Sequence, residues 1–333
     1  MSNDRKTSRR SDAKRSMAVA LLREPWVGPL GAVLFVYALF ALLSPETFLG
    51  WINFTTMVRQ TVVVGIAALG MTLIMVQGGI DLSVGSVVAL TTVVVARALQ
   101  GGVSVTAACL FGVATAAAAG LVNGALVAGL RITPFIVTLG SMSILRGLAK
   151  GLAHEQKIDA PEAGLDELMA MPPVDRAWQL LPVGVWLTLL LAVVAAVVLA
   201  YTRFGRHLVA TGSNESTARL CGVDVPSVTV LVYVVGGLLA GVAGVMEFSY
   251  LTVGDPTDSI GLELAVIAAV VIGGGSLSGG QGSIPGTLLG ALLMTFIAAG
   301  CTHVGLPNWV QEILTGLIII VAVALDGLRR RGG

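Results

Sequence analysis

A long, nearly uncharged apolar run recurs about ten times along this chain, and no other feature constrains its fold as strongly. The runs fall at residues 27–43, 58–77, 82–99, 104–130, 134–152, 183–202, 227–250, 261–274, 285–302 and 309–325. A hydrocarbon core about 30 Å thick is crossed by about 20 such residues in helical conformation. Within lipid each segment must pair its own backbone N–H and C=O groups, which a helix does. Charged residues make up only 12% of the chain, about half the roughly 25% of a soluble domain. The expected fold class is therefore all-α: a polytopic transmembrane helical bundle of about ten spans. The 42 glycines suit helices whose backbones approach closely.

The net charge of +1 says nothing about partners, but the distribution of charge does. With both ends on the inner side, fourteen of the twenty Lys and Arg residues fall on inner segments. They are Arg5, Lys6, Arg9, Arg10, Lys14, Arg15, Arg23, Arg131, Arg203, Arg206, Arg219 and Arg329 to Arg331. The acidic stretch 153–182 then lies outside. By the positive-inside rule this places both termini in the cytoplasm. Residues 1–24 read as a basic cytoplasmic tail, 25–326 as the membrane domain and 327–333 as a second basic tail.

The stretch 201–226 is the main polar interruption, Gly-rich and basic between two uncharged runs. Charge places it in the cytoplasm, where it is available to a partner. A second feature is a weak internal echo. GGIDLSVGS at 78–86 resembles GGGSLSGGQ at 273–281, pairing Leu82 with Leu277, Ser83 with Ser278 and Gly85 with Gly280. Repeats of this kind occur in transporters whose helices break near the pathway. The Gly-rich segment 272–286 lacks the Lys of a phosphate-binding loop and no strand precedes it. A non-helical turn is expected there, tolerated where it is buried in protein or faces water.

Intramembrane polar residues mark pathways or interhelical bonds by default. Asp81 reads as the N-cap of a helix beginning at Leu82, or as a gate or solute contact. Asn123 reads as an interhelical hydrogen bond or a pathway group. Ser83, Ser276 and Ser278 sit in the two echoed turns and complete the pathway or gate candidates. Glu247 and Glu312 are expected to snorkel toward water, Glu263 to complement a helix dipole, and His303 to be solvated. Cys109, Cys221 and Cys301 are scattered and read as small apolar fillers. No residue constellation suggests catalysis, a metal or a cofactor, so the chain reads as a conduit and not an enzyme.

Several longer motifs occur in order and resemble one family. TRFGRHLVATGSNESTARLCGVDV, VYVVGGLLAGVAGVMEF, LELAVIAAVVIGGGSLSGGQGSIPGTLLGAL, GGIDLSVGSVVAL and LVNGALVAGLRITPFIVTLGSMSILRG look like the inner-membrane permease of ribose-type ABC sugar importers. The segment 298–308 departs from that family's Asn-Asn-Gly-Leu pattern. The resemblance implies a multi-pass subunit of the bacterial inner membrane that moves a monosaccharide into the cytoplasm. Its implied partners are cytoplasmic ABC ATPase subunits, which bind the ATP, a periplasmic sugar-binding protein, a second copy of the permease and membrane lipid, with no nucleic acid. It also implies that 203–226 couples to the ATPase, through Gly205, Arg206, Ala210, Gly212, Asn214, Ala218 and Gly222. Branched-chain amino acids or nucleosides are the alternative solutes, and an ion-coupled secondary carrier is the alternative of another class.

Overall fold

The computed structural model describes residues 26–161, 164–172 and 178–331. The basic segment 1–24 lies outside them. Thirteen helices account for nearly all of the secondary structure among the described residues. The first eight are α1 (Val27–Leu43), α2 (Pro45–Phe48), α3 (Trp51–Val76), α4 (Val84–Gln100), α5 (Val105–Leu130), α6 (Pro134–Ala153), α7 (Val183–Tyr201) and α8 (Arg203–Ser213). They are followed by α9 (Glu215–Leu220), α10 (Val225–Leu251), α11 (Leu262–Ile272), α12 (Ile284–His303) and α13 (Asn308–Arg331). A two-residue strand, β1 (Ile158–Asp159), pairs antiparallel with β2 (Val253–Gly254).

Six of these helices are long and apolar enough to cross a membrane: α3, α5, α6, α7, α10 and α12. The apolar run expected to span at 261–274 forms only the 11-residue α11. At 1.5 Å per residue this is about 16 Å, half a bilayer. The chain leading into α11, with Asp255, Pro256 and Asp258, is polar and turns, and Gly261 ends that turn with a positive φ of 84°.

The centre of the bundle is α3. From Val62 to Val76 it is enclosed on nearly every side and correspondingly apolar, with Ile66, Leu69, Leu73 and Met75 buried. Its neighbour α4 is almost as enclosed, with Val88, Val93, Val95 and Ala96 inaccessible. Around this pair pack α10, α12, α11 and α5, while α5, α6 and α7 turn rows of Leu, Ile and Val outward. A contiguous apolar surface of that kind suits hydrocarbon rather than water.

The most extensive helix crossing is that of α5 with α10. Gly120 of α5 faces Tyr233 so closely that a Cβ there would lie 2.2 Å from the Tyr233 carbonyl oxygen. A Cβ on Gly237 would lie 2.4 Å from that of Ala116. Small residues four apart on both helices allow this approach, and dispersion between the two backbones then replaces the side-chain packing of wider pairs.

One end of the bundle is closed by segments that the charge distribution places outside. Gln100 donates to the Asp159 carbonyl at 2.7 Å, Arg97 to that of Leu152 at 2.9 Å, and Lys157 pairs with Asp255 at 3.0 Å. Burial pushes the Asp255 carboxyl up, but hydrogen bonds from Thr257 and Lys157 outweigh it and hold the group below the usual carboxylate range. A depressed folded-state pKa contributes stability that is present above the unfolded value and lost as pH falls through the folded one. The β1–β2 tether is therefore expected to loosen in acid, below the ordinary carboxylate range, and Asp255→Asn to flatten that dependence. Hydrogen exchange at residues 157–160, followed from neutral to acid pH, measures it.

Candidate functional site

At the opposite end, two helix-breaking turns meet. After α3, the Gly78 N–H donates to the Met75 carbonyl and the Gly79 N–H to that of Ile74, both at 2.9 Å. After α11, Gly274 donates to Val271 at 3.0 Å and Gly275 to Val270 at 2.8 Å. Both are Schellman caps, and both place a glycine in the left-handed region, Gly78 at φ 94° and Gly274 at φ 91°. The caps therefore equate Gly78 with Gly274, one residue away from the register of the sequence echo, which pairs Gly78 with Gly273. A similar cap also ends α4, α9 and α12, so the duplication rests on the order of elements and not on the cap. The turns are joined directly, since the Gly280 N–H donates to the Val76 carbonyl at 2.8 Å.

The polar interruption folds onto this junction as two helices rather than a loop. Thr202 caps α8 by accepting from the Gly205 N–H at 3.1 Å, and Asn214 caps α9 by accepting from Thr217 at 2.8 Å. Between the caps, α8 ends with Gly212 seated on the junction. A Cβ at Gly212 would lie 1.9 Å from the Val76 carbonyl oxygen and 2.6 Å from the Gly280 nitrogen. Gly205 is equally tight against α7, with the Leu199 carbonyl oxygen 2.2 Å from its would-be Cβ.

The seven residues expected to couple to a partner thus divide. Gly205 and Ala218 are buried, and Gly212 and Ala210 are half-buried. Arg206, Asn214 and Gly222 are exposed. Two apolar residues that the sequence reading passed over stand out beside them: Leu220 is 89% exposed and Tyr201 79%. An apolar side chain in a polar amphipathic run was the signal that could have found them. Arg219 is held by an i, i+4 ion pair with Glu215 at 2.6 Å, worth only a few tenths of a kcal/mol, about 0.3–0.5, at such exposure.

Three of the five pathway candidates come together in one buried chain of hydrogen bonds. A single carboxylate oxygen of Asp81 accepts from the Ser83 N–H at 2.8 Å and from the Ser83 hydroxyl at 2.6 Å. Helix α4 begins only at Val84 and receives no side-chain cap, so Asp81 closes a turn before the helix instead of capping a helix at Leu82. Asn123 of α5 donates to the Ser83 hydroxyl oxygen at 3.0 Å and accepts from the Ser141 hydroxyl of α6. The turn's Ile80 carbonyl accepts from Thr138 at 3.2 Å and from the Tyr233 hydroxyl at 3.3 Å. Three helices therefore grip the turn after α3.

Ser276 and Ser278 belong to the other turn and not to this chain. Ser276 is buried, its N–H donates to the Gln281 carbonyl at 3.1 Å, and its hydroxyl accepts from the Ser278 N–H at 3.3 Å. Asn123→Leu is expected to leave the Ser141 hydroxyl without its acceptor inside the bundle. An orphaned buried polar group costs about 1–3 kcal/mol, which thermal melting in detergent should register as a lowered midpoint, with Asn123→Gln less affected.

The remaining polar candidates occupy the outer half. Glu247 is half-buried and its carboxyl meets that of Asp258, so it does not snorkel freely. Glu263 lies in the first turn of α11, and Glu312 is exposed on α13. His303 is not merely solvated: its ring bonds to the Asn53 side chain at 2.9 Å and meets Phe48 edge-on. Cys109, Cys221 and Cys301 are free thiols. Among the described residues no three His, Cys, Asp or Glu side chains cluster as metal ligands would.

Residues 53–323 match the family described as branched-chain amino acid transport system / permease component. The chain is 37% identical over 299 residues to the ribose import permease protein RbsC of Escherichia coli, covering 90% of this chain and 92% of that one. It is 36% identical over 301 residues to the RbsC of Bacillus subtilis, covering 90% and 92%. Over 301 residues it is also 36% identical to the autoinducer 2 import system permease protein LsrC of Yersinia pseudotuberculosis, covering 90% and 84%. No solved structure matches it. A match across most of the chain, on an all-helical membrane fold with paired broken helices, places this protein in the branched-chain amino acid transport system / permease component family.

Proposed function

We propose that the chain forms the membrane pathway of an ATP-driven importer that carries a ribose-type monosaccharide from a periplasmic binding protein into the cytoplasm. It is the transport subunit of an ABC importer and not an enzyme, and ATPase and binding-protein partners follow from that class. Two copies form the pathway in the inner membrane, each with both termini cytoplasmic. The Tyr201, Arg206 and Leu220 surface of α7 to α9 receives the ATPase.

The observation that carries this reading is the seating of Gly212 on the hydrogen bond between Val76 and Gly280. A rigid-body push on α8 and α9 is delivered at once to the turns that end α3 and α11. Packed elements of this kind move as units between discrete arrangements. The solute class is supported by the two ribose permeases at 36–37% identity. The likeness to LsrC favours autoinducer 2 as a second reading.

Reconstitution with the ATPase and binding protein from the same gene neighbourhood tests both. ATP should drive uptake of D-ribose into proteoliposomes, and uptake should survive collapse of proton and sodium gradients. Gradient-driven uptake without ATP would point to a secondary carrier. Accumulation of L-leucine or autoinducer 2 in place of ribose would reassign the solute.

A further inference from the structure

A cavity of about 440 Å³ opens in the outer half of the bundle between α3, α10 and the segment entering α11. Its size falls within the roughly 300–1,000 Å³ of small-molecule sites. Gln60, Tyr250, Glu247, Asp258, Val63 and Leu262 are among the residues that line it. The two carboxyl groups meet each other, and Gln60 donates to the Tyr250 hydroxyl at 3.4 Å. Arg146 of α6 holds the segment in place, donating to the Pro256 carbonyl at 2.9 Å and the Asp258 carbonyl at 2.6 Å.

The charges around the cavity decide what it suits. Among the described residues no cationic side chain lines it. The nearby Arg59 stacks its guanidinium 4.8 Å from the Tyr250 ring centroid and donates to the Met169 carbonyl at 3.2 Å. Arg146 is held by its bonds to the Pro256 and Asp258 carbonyls. A free α-carboxylate would meet two acid side chains and, among the described residues, no cation in the lining to pair with. Hydroxyl groups fit the same surroundings, because an acid side chain offers oxygen acceptors to them in either protonation state. The apolar wall and the phenol ring can cover a C–H face.

We propose that this cavity is an outer subsite for a neutral polyhydroxylated solute, held by hydroxyl donation to Glu247 and Asp258 and by packing on Tyr250 and Val63. The inference rests on the sugar-import reading and adds a place where the permease itself discriminates sugars from amino acids.

The test uses the full chain assembled with its ATPase in nanodiscs, with Cys109, Cys221 and Cys301 replaced by alanine and Val64→Cys introduced at the cavity wall. D-ribose at ten times its dissociation constant should slow alkylation of the introduced thiol about tenfold, by simple occupancy. L-leucine should not slow it, and adding Glu247→Gln with Asp258→Asn should remove the protection. If ribose is transported without protecting the thiol, the subsite is wrong and the import reading stands. If leucine both protects and is transported, the sugar reading falls as well, and with it the polyol assignment. Protection by ribose that persists in the double carboxyl variant would overturn the assigned roles of Glu247 and Asp258.

Discussion

Gly212→Val should abolish ATP-driven uptake while leaving the spanning helices inserted. The first atom of any side chain at this position would lie 1.9 Å from the Val76 carbonyl oxygen, and the atoms it meets are backbone on both sides. No rotamer change relieves such a clash, so α8 must lift from the junction or the Val76–Gly280 hydrogen bond must break. Overpacking of this kind costs about 1–3 kcal/mol, and loss of the bond adds about 0.5–1.5 kcal/mol. Those sums do not unfold a bundle, but they detach the surface helices from the turns they would move. The expected phenotype is an assembled complex that hydrolyses ATP without accumulating solute. Arg206→Ala provides the contrast: its side chain is exposed, so it should leave stability unchanged and weaken only co-purification of the ATPase. Wild-type uptake by the Gly212 variant would remove the coupling role from α8.

Gly237→Leu is expected to be the most damaging substitution for folding itself. The α5–α10 crossing depends on Gly237 meeting Ala116 and Gly120 meeting Tyr233, each without room for a single methyl group. Forcing the helices apart removes the close packing along the whole contact, and α10 also carries Tyr233, which holds the Ile80 turn. A loss of about 3 kcal/mol or more is the upper range for overpacking, against a total of about 5–15 kcal/mol for a folded protein. Monodisperse yield from size-exclusion chromatography should collapse. Gly129→Leu, on the facing helix α5 but with nothing within 4 Å of its would-be Cβ, should fold normally. Equal loss in both variants would mean that the crossing does not set the sensitivity, since Gly→Leu raises helix propensity at both positions.

Much of the fold was legible because lipid imposes a simple code. Ten apolar runs correspond to ten apolar helices, six of them long enough to cross. Of the segments grouped by basic charge, Arg131 and 203–224 do gather at one end, together with the turns near 77 and 280 that alternating spans put on the same side, and a recess there is lined by Gln77, Arg131, Glu215 and Arg219. The half-length of α11 was partly legible, in a run confined to 261–274 that follows the polar segment 254–259, but its helical limits were not. Nor was the register of the repeat, because similar Gly and Ser residues on neighbouring positions permit alignments one residue apart. The candidate site was partly legible. Asp81, Ser83 and Asn123 share a network, but its fourth member, Ser141, and the grip of Thr138 and Tyr233 on Ile80 had no signal in the linear order.

The sequence by itself determined that the chain is a membrane bundle, which runs are helical and which connecting segments share an end. These follow from transfer free energies that each segment carries alone, whatever its neighbours do. Only the tertiary structure decided that Gly212 touches Val76 and Gly280, that Asn123 bridges Ser83 to Ser141, and that Glu247 meets Asp258 in a cavity. Those contacts depend on how each helix is rotated about its axis and how closely its neighbours approach. Both are settled jointly by all the packed faces, and no single stretch of chain contains them.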